Sequence, residues 1–429
     1  MAAVGDAEPA RGSGRKPLIA SLTKYISYPA ITHAGGQYLY EHNRALREFA
    51  EVVDLAPSTP LNRDALKQAD PEPAVSLMTG VGVGGEGRFK TLFDLESAWA
   101  GSSVSLPIRR LFRSDRAPWD RLRSADVVEF QWSEMIALAP SVRQRLPRTP
   151  LVGIAHDVLT QRWDREAHAA GSVLRRSAYR LAAARSRSRE SRSYAPLDLL
   201  IAFSEKDAAL AKELAPGTRV EVVHPGLGPR QPLERTPDVD APVVLFTGAL
   251  NRPDNSRGIG WFLAEMWPAI HDAVPTARLV IAGAHPPSWL QRSVAAAPRA
   301  QLTGFVDSLE PWYARATVFI APLRTGAGVK FKTVDALLRA VPVVTTSVGA
   351  EGIDAAHLFA AVEDEPSCFA DAVIGQLRRP DDDLAARARA WADGVYGHAA
   401  FGARLAELYL PLIETGKRAS AGRSGSGGS

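Results

Sequence analysis

Residues 318–346 read VFIAPLRTGAGVKFKTVDALLRAVPVVTT. A continuous apolar run, VFIAP, gives way to a turn with two glycines, then to the helical pattern KTVDALLRA, then to a second apolar run, VPVVTT. Strands without polar alternation are covered on both faces, so the stretch predicts a strand–helix–strand unit of a parallel sheet. The same alternation runs outward from it. VVLFTG, GIGWFLAEMWPAIHDA and RLVIAG come before it, from Pro242 onward, and LFAAV and CFADAVIGQLRR come after. Right-handed crossovers between such strands build a doubly wound α/β domain.

The first half repeats the theme in PLIASLTKYISYP, EVVDLAP, VVEFQW, PLVGIAHD, DLLIAFS and RVEVVHPGL. From Gly228 to Ala241 there are prolines and charges without an apolar period, which is the composition of a linker. A chain of 429 residues is also too long for one ordinary core. The sequence therefore divides into a polar, disordered tail at 1–16, a first Rossmann-like domain at 17–230, a linker at 231–241 and a second Rossmann-like domain at 242–390. A final amphipathic segment at 391–416 is expected to cross back to the first domain, ahead of a second polar tail at 417–429. Two doubly wound domains facing a cleft place their ligands beyond the carboxyl ends of the strands.

The apolar fraction is 46% and the formal net charge +4, too small a surplus to mark a nucleic-acid binder. Cys368 is the single cysteine, so no internal disulfide or cysteine-based zinc cluster can form, which fits a reducing cytoplasm. The first residues lack the apolar stretch of a signal peptide, and no run reaches the length of a membrane span. A cytoplasmic protein is expected, with one candidate for peripheral contact at the inner membrane face. The Arg-rich segment 174–194 would present cationic charge to anionic lipid, or else form an ordinary solvated helix face.

The turn after VFIAP lies at the carboxyl end of the sheet. Gly326 and Gly328 let the backbone approach a ligand closely, and free N–H groups from about Val329 would point at it. Lys330 and Lys332 fall in what reads as the first turn of a helix, where the positive end of the dipole repels them unless an anion is present. A pyrophosphate suits two lysines beside such donors. Asp335, three residues beyond Lys332, shares its face and would accept hydrogen bonds from a ribose diol. The bland alternative makes the lysines solvated and Asp335 their ion-pair partner. A second turn, TGALNRPDNSRGIGWF at Thr247–Phe262, follows another strand. Gly248 ends that strand, Asn251 lies in the turn, and Arg257 reads as the start of the next helix, a third candidate for phosphate.

The series FTGALNRPDN, RLVIAG and LTGFVDSLEPWYARATVFIAPLRTGAGVKFKTVDALLRAVPVVTTSVGAEGI resembles the nucleotide-sugar domain of family 4 GT-B glycosyltransferases, the retaining "group 1" enzymes. YPAITHAGGQYLYEHNRAL, VVEFQW, IAHDV, DLLIAFSEKDAALA and VEVVHPGL resemble their acceptor domain. The resemblance implies a retaining hexosyltransferase that needs no metal or other cofactor. Its co-substrate would be a nucleotide-diphosphate sugar, and its acceptor a glycan, a lipid-linked glycan or a small metabolite, as in polysaccharide biosynthesis. Lys332, Lys330 and Arg257 would hold the diphosphate, Asp335 the ribose, and the chain at Gly248, Asn251, Gly328 and Val329 would line the nucleotide. Gly35 and Gly36 would form a close-approach loop against the donor phosphate, and His156 falls where these enzymes place a histidine near the sugar. His156, Lys332 and Arg257 thus make up the implied catalytic set.

Two departures stand out. The family's loop carries two glutamates eight positions apart; here Asp335 takes the second place and Ala327 the first, where it makes no hydrogen bond to a sugar. Ala249 replaces an arginine that often follows the first-strand glycine. Other readings are weaker. Gly80, Gly82 and Gly85 have dinucleotide-binding spacing, but no strand ending in an acid follows them. Asp238–Asp240 lies in the linker and Asp381–Asp383 suits a helix cap, so neither reads as a metal site. A catalytically silent GT-B protein acting as partner of another transferase is the remaining alternative, against which the three retained cations argue.

Overall fold

The apolar runs assemble into two sheets. β1 (Leu18–Leu22), β2 (Glu51–Pro57), β3 (Val75–Met78), β4 (Val127–Gln131), β5 (Leu151–Ala155), β6 (Leu199–Ala202) and β7 (Val220–Val222) form one, in the order β3-β2-β1-β4-β5-β6-β7. β8 (Val243–Thr247), β9 (Arg278–Ala282), β10 (Ala300–Gly304), β11 (Val318–Ala321), β12 (Val343–Thr345) and β13 (Ala361–Val362) form the other, in the order β10-β9-β8-β11-β12-β13. Every pair in the second sheet is parallel, as are the pairs from β3 through β5 in the first. The strand order reverses between β1 and β4 and again between β8 and β11, which are the switch points of two doubly wound sheets. The computed structural model describes residues 15–28, 34–68, 75–78, 112, 119–156, 158, 160, 163, 167, 172–228, 233–325 and 329–424. Gly80, Gly82, Gly85, Gly326, Ala327 and Gly328 lie outside them.

The continuous apolar strands are buried on both faces, as their composition requires. In β8, Val244 and Phe246 pack with Phe262, Trp267, Ile281 and Phe369, whereas the alternate residue Leu245 packs with Tyr313, Phe319, Val334 and Leu337. β10 is an edge strand and only half-buried, so the apolar pattern does not mark it. Asp381 caps the helix Asp382–Tyr396 by accepting from the Leu384 N–H, and Asp238 accepts from the N–H groups of Asp240 and Ala241 in a tight turn.

The chain divides into two compact units, residues 1–200 with 217–219 and 406–429, and residues 201–216 with 220–405. Within the second, the described part of the linker-like segment is tied down. Arg235 donates to the carbonyls of Ala340 and Ala316 at 2.7 and 2.6 Å, and the Thr236 N–H donates to the Ala314 carbonyl. Leu233 packs against the core and hydrogen bonds hold the rest, so a single apolar contact leaves no apolar period. Among the described residues no helix is long and apolar enough to cross a membrane.

Candidate functional site

Lys332 is the centre of the site in the second unit. Its helix runs Phe331–Leu338 with Lys330 as the cap residue, whose carbonyl accepts from the Thr333 and Val334 N–H groups. The N–H groups without an intrahelical partner are therefore those of Phe331 and Lys332, two residues later than the sequence suggests. Val329 precedes the helix and lies against Gly352. The half-buried Lys332 side chain reaches back to the end of β8. Its Nζ stands 4.7 Å from the centroid of the Phe246 ring and donates to Asn255 Oδ1, and Asn255 in turn donates to the Ala249 carbonyl at 2.8 Å. Gly248 has φ +151°, and a Cβ there would lie 2.8 Å from Lys332 Nζ, so both conformation and close approach require glycine at this strand end.

Among the described residues no carboxylate lies within ion-pair distance of Lys332. Burial, followed by the charges of Arg252 and Lys330, pushes its pKa down from 10.5 to about 7, with Asp254 acting the other way. Lys330 differs, because its Nζ lies 3.5 Å from Glu351 Oε2.

The neighbouring turn corrects one placement. The helix Pro253–Glu265 starts at its proline, with Arg252 as the cap residue, so Arg257 is not at the helix start but in the second turn, exposed. Proline with its preset φ favours that first helical position. Arg252, not Arg257, is the cation whose charge reaches Lys332. Asn251 is exposed in the turn, and the amide that meets Lys332 is Asn255, four residues on.

Asp335 lies one helical turn beyond Lys332 but pairs with neither lysine. Its Oδ1 accepts from Arg339 at 2.8 Å, and Arg339 also donates to Glu310 at 2.6 Å, with its guanidinium 4.6 Å from the Tyr313 ring centroid. Burial raises the Asp335 pKa against the pull of Arg339 and of the Gly228 N–H. The pairing fixes the carboxylate of a side chain that is 28% exposed.

In the first unit the polar side chains collect on one face of the sheet. Glu129 and Gln131 are two residues apart on β4 and share that face. The register sets Ser21 opposite Glu129 and Ile154 opposite Gln131, with His156 two residues beyond Ile154. Glu129 is fully buried and accepts from Ser21 Oγ at 2.6 Å, Gln131 Nε2 at 2.7 Å, His42 Nε2 at 2.8 Å and the Tyr409 hydroxyl. Burial alone would raise its pKa; the charge of His42 and the bonds from His42, Ser21 and Tyr409 overcome that and hold it at about 2. Gln131 Oε1 accepts from His156 Nε2 at 3.0 Å.

His156 stacks on Trp132, with centroids 4.4 Å apart and planes at 19°, and meets Tyr38 edge-on at 5.0 Å. Burial, then the charge of His42, lowers its pKa from 6.5 to about 3, so the ring is neutral near pH 7. Trp132 has φ +68°, a left-handed conformation that a bulky residue seldom adopts and that is often found at functional sites. Gly35 and Gly36 belong to the first turn of the helix Ala34–Arg47 and not to a loop before it. A Cβ on Gly35 would lie 3.3 Å from Trp132 Nε1, so Gly35 makes room for the ring that covers His156.

Residues 241–379 match the family model described as "Glycosyl transferases group 1". This segment is a group 1 glycosyltransferase domain. The whole Lys332 site, from Gly248 to Glu351, falls inside the group 1 domain. A Klebsiella pneumoniae protein, described as "Uncharacterized 44.6 kDa protein in cps region", is 31% identical over 121 residues, which are 27% of this chain and 31% of that protein. The match thus spans less than a third of that relative's length. Among solved structures, a sucrose-phosphate synthase from Thermosynechococcus elongatus superposes with TM-score 0.65 at 14% identity, covering 93% of this chain and 99% of that one. Anabaena HepE in complex with UDP and glucose gives 0.58 at 14% identity, covering 91% and 98%. WaaG, a glycosyltransferase involved in lipopolysaccharide biosynthesis, gives 0.58 at 15% identity, covering 91% and 99%. The architecture is that of the GT-B glycosyltransferases.

Proposed function

We propose that the chain is a retaining glycosyltransferase that moves a sugar from a nucleotide-diphosphate sugar to an acceptor. The observation that carries this reading is Lys332, a half-buried ammonium at a helix start with a neutral amide as partner and two further cations beside it. A desolvated charge without a counterion costs several kcal/mol, and an anion that removes the cost is favoured accordingly. The diphosphate of a sugar nucleotide supplies it. As the glycosidic bond breaks, negative charge on the diphosphate grows, so these cations stabilise the transition state more than the ground state. In this reading Lys332, Lys330 and Arg252 supply the charge that a metal ion would otherwise provide.

Asp335, whose side chain is partly exposed, takes the ribose, and His156 meets the sugar. With its low pKa, His156 is a poor general base. The departing phosphate takes the acceptor's proton instead, with attack on the face that it leaves. Anabaena HepE, solved with UDP-glucose, supports the donor class. The cps-region relative and the lipopolysaccharide role of WaaG support a glycan acceptor in polysaccharide biosynthesis. A thermal-shift screen of UDP, GDP, dTDP and ADP sugars tests the reading. At least one should raise the melting temperature of the wild type and not of Lys332→Met; if none does, the catalytically silent partner becomes the better account.

Peripheral contact with anionic membrane belongs to the same proposal. Its support is the first part of the helix Val173–Tyr194, where Val173, Leu174 and Leu181 are 77%, 86% and 52% exposed among the exposed Arg175 and Arg180. Tyr179 stacks on Trp163, and the first fully buried position of the helix is Ala183. Sedimentation with phosphatidylglycerol vesicles should show binding that salt weakens, and equal binding to phosphatidylcholine would count against it.

A further inference from the structure

Lys332 has a chemistry that the transfer reaction does not use, that of a nucleophilic amine. Among the described residues its Nζ has one hydrogen-bond acceptor, Asn255 Oδ1. The Asn255 NH2 is committed to the Ala249 carbonyl at 2.8 Å, so the amide turns its oxygen to the lysine. A neutral acceptor of this kind serves an ammonium and an amine alike. Gly248 has no Cβ where one would lie 2.8 Å from Nζ, which leaves that flank of the nitrogen without a side chain.

The charges around Nζ have the wrong sign for an ammonium. Arg252 and Lys330 disfavour it, the latter even though its own Nζ lies 3.5 Å from Glu351 Oε2, whereas Asp254 and the Phe246 ring favour it. Burial and the two cations win, and with a pKa of about 7 a large share of the chains carries a neutral amine near that pH. A desolvated lysine beside other cations is activated in this way as a nucleophile. A negative group on the same nitrogen would reverse each of these interactions, so the two cations that repel the ammonium would attract it.

We propose that Lys332 is a carbamylation site, at which carbon dioxide adds to Nζ and the resulting carbamate is held by Arg252, Lys330 and the hydrogen bond to Asn255. The nitrogen lone pair forms the N–C bond, one C–O π bond opens onto its oxygen, and one N–H proton passes to water. The N–H that remains donates to Asn255 Oδ1. The step turns a charge of +1 into −1 at the residue that the function proposed above uses for the diphosphate, but the modification stands without that function.

The test is trapping of carbamates by ethylation with triethyloxonium, on the full-length, ligand-free chain at pH 7.5 with 13C-labelled bicarbonate, followed by peptide mass spectrometry. A short peptide with a free α-amine in the same mixture shows that the trapping works. Lys332 should carry a 13C-ethoxycarbonyl group at least about tenfold more often than the exposed Lys67 and Lys206, because each unit by which its pKa is lowered multiplies its neutral fraction by about ten. Arg252→Gln should lower the trapped fraction about two- to fivefold, the usual worth of one exposed charge to another. An unlabelled Lys332 beside a labelled control peptide overturns the proposal, as does labelling no greater than at Lys67 and Lys206. Unchanged labelling in Arg252→Gln overturns the part given to that cation. The wild-type result decides by itself if the variant fails to fold.

Discussion

The two units solve opposite electrostatic problems. In the first, the buried charge of Glu129 meets four donors, and the His156 ring, joined to it through Gln131, is neutral near pH 7. In the second, the charge of Lys332 has a neutral amide for company and cations for neighbours. A site already satisfied within itself recognises by shape and hydrogen-bond direction. A site left short of one charge waits for a ligand that brings it. The function proposed above rests on the second of these, where a diphosphate would bring the missing charge.

Removing each charge in turn should break the contrast most sharply. Glu129→Leu strands four donors and should cost about 3–5 kcal/mol in chemical denaturation, as loss of one partner of a buried ionic network does. Lys332→Met should cost nothing, or add about 1 kcal/mol, because it removes a charge that burial, Arg252 and Lys330 disfavour more than Asp254 favours it. The same Lys332→Met change should weaken nucleotide-sugar binding by about 2–5 kcal/mol in calorimetry, the usual loss for one partner of a desolvated charge pair.

Proton linkage sharpens the comparison further. The folded pKa of Lys332, about 7, lies below its ordinary 10.5. Between these values the unfolded chain binds the extra proton, so the contribution of this group to stability rises with pH across the window and is lowest below pH 7. Lys332→Met should flatten that rise in denaturation curves taken from pH 7 to 10. A bound diphosphate favours the charged form, so sugar-nucleotide affinity should fall above pH 7, by up to about tenfold per unit. Lys332→Arg, always charged, should lessen the fall.

The smallest effect concerns the helix that carries Asp335. Past its cap residue Arg339 stands Ala340, which has φ +53° where glycine is unstrained. Ala340→Gly should add about 0.5 kcal/mol to stability, since relief of the left-handed strain is partly offset by the freer unfolded chain.

Much of this architecture was legible because continuous apolar strands such as VVLFTG and VFIAP can exist only inside a covered parallel sheet. Lys332 was legible for a local reason, its place at a helix start after a glycine turn. What escaped was set by register and packing. Asn255 meets Lys332 from another helix, and Arg252 precedes a proline that moves the helix start four residues ahead of Arg257. Asp335 turns to Arg339 because Glu310, 25 residues upstream, fixes the guanidinium. Glu129 and Gln131 did leave a trace, two polar residues at alternate positions of the buried strand VVEFQW. Such residues need compensation inside the protein, but the sequence does not say that Tyr409, 280 residues away, contributes to it.

The central claim is that Lys332 lacks the charge that a sugar nucleotide brings. It is tested most directly by melting the wild type and Lys332→Met with and without UDP, GDP, dTDP and ADP sugars. The account predicts that the variant melts at or above the wild-type temperature without ligand, and that a sugar nucleotide raises only the wild type. A variant that melts lower without ligand and is stabilised by the sugar nucleotide as much as the wild type would contradict it.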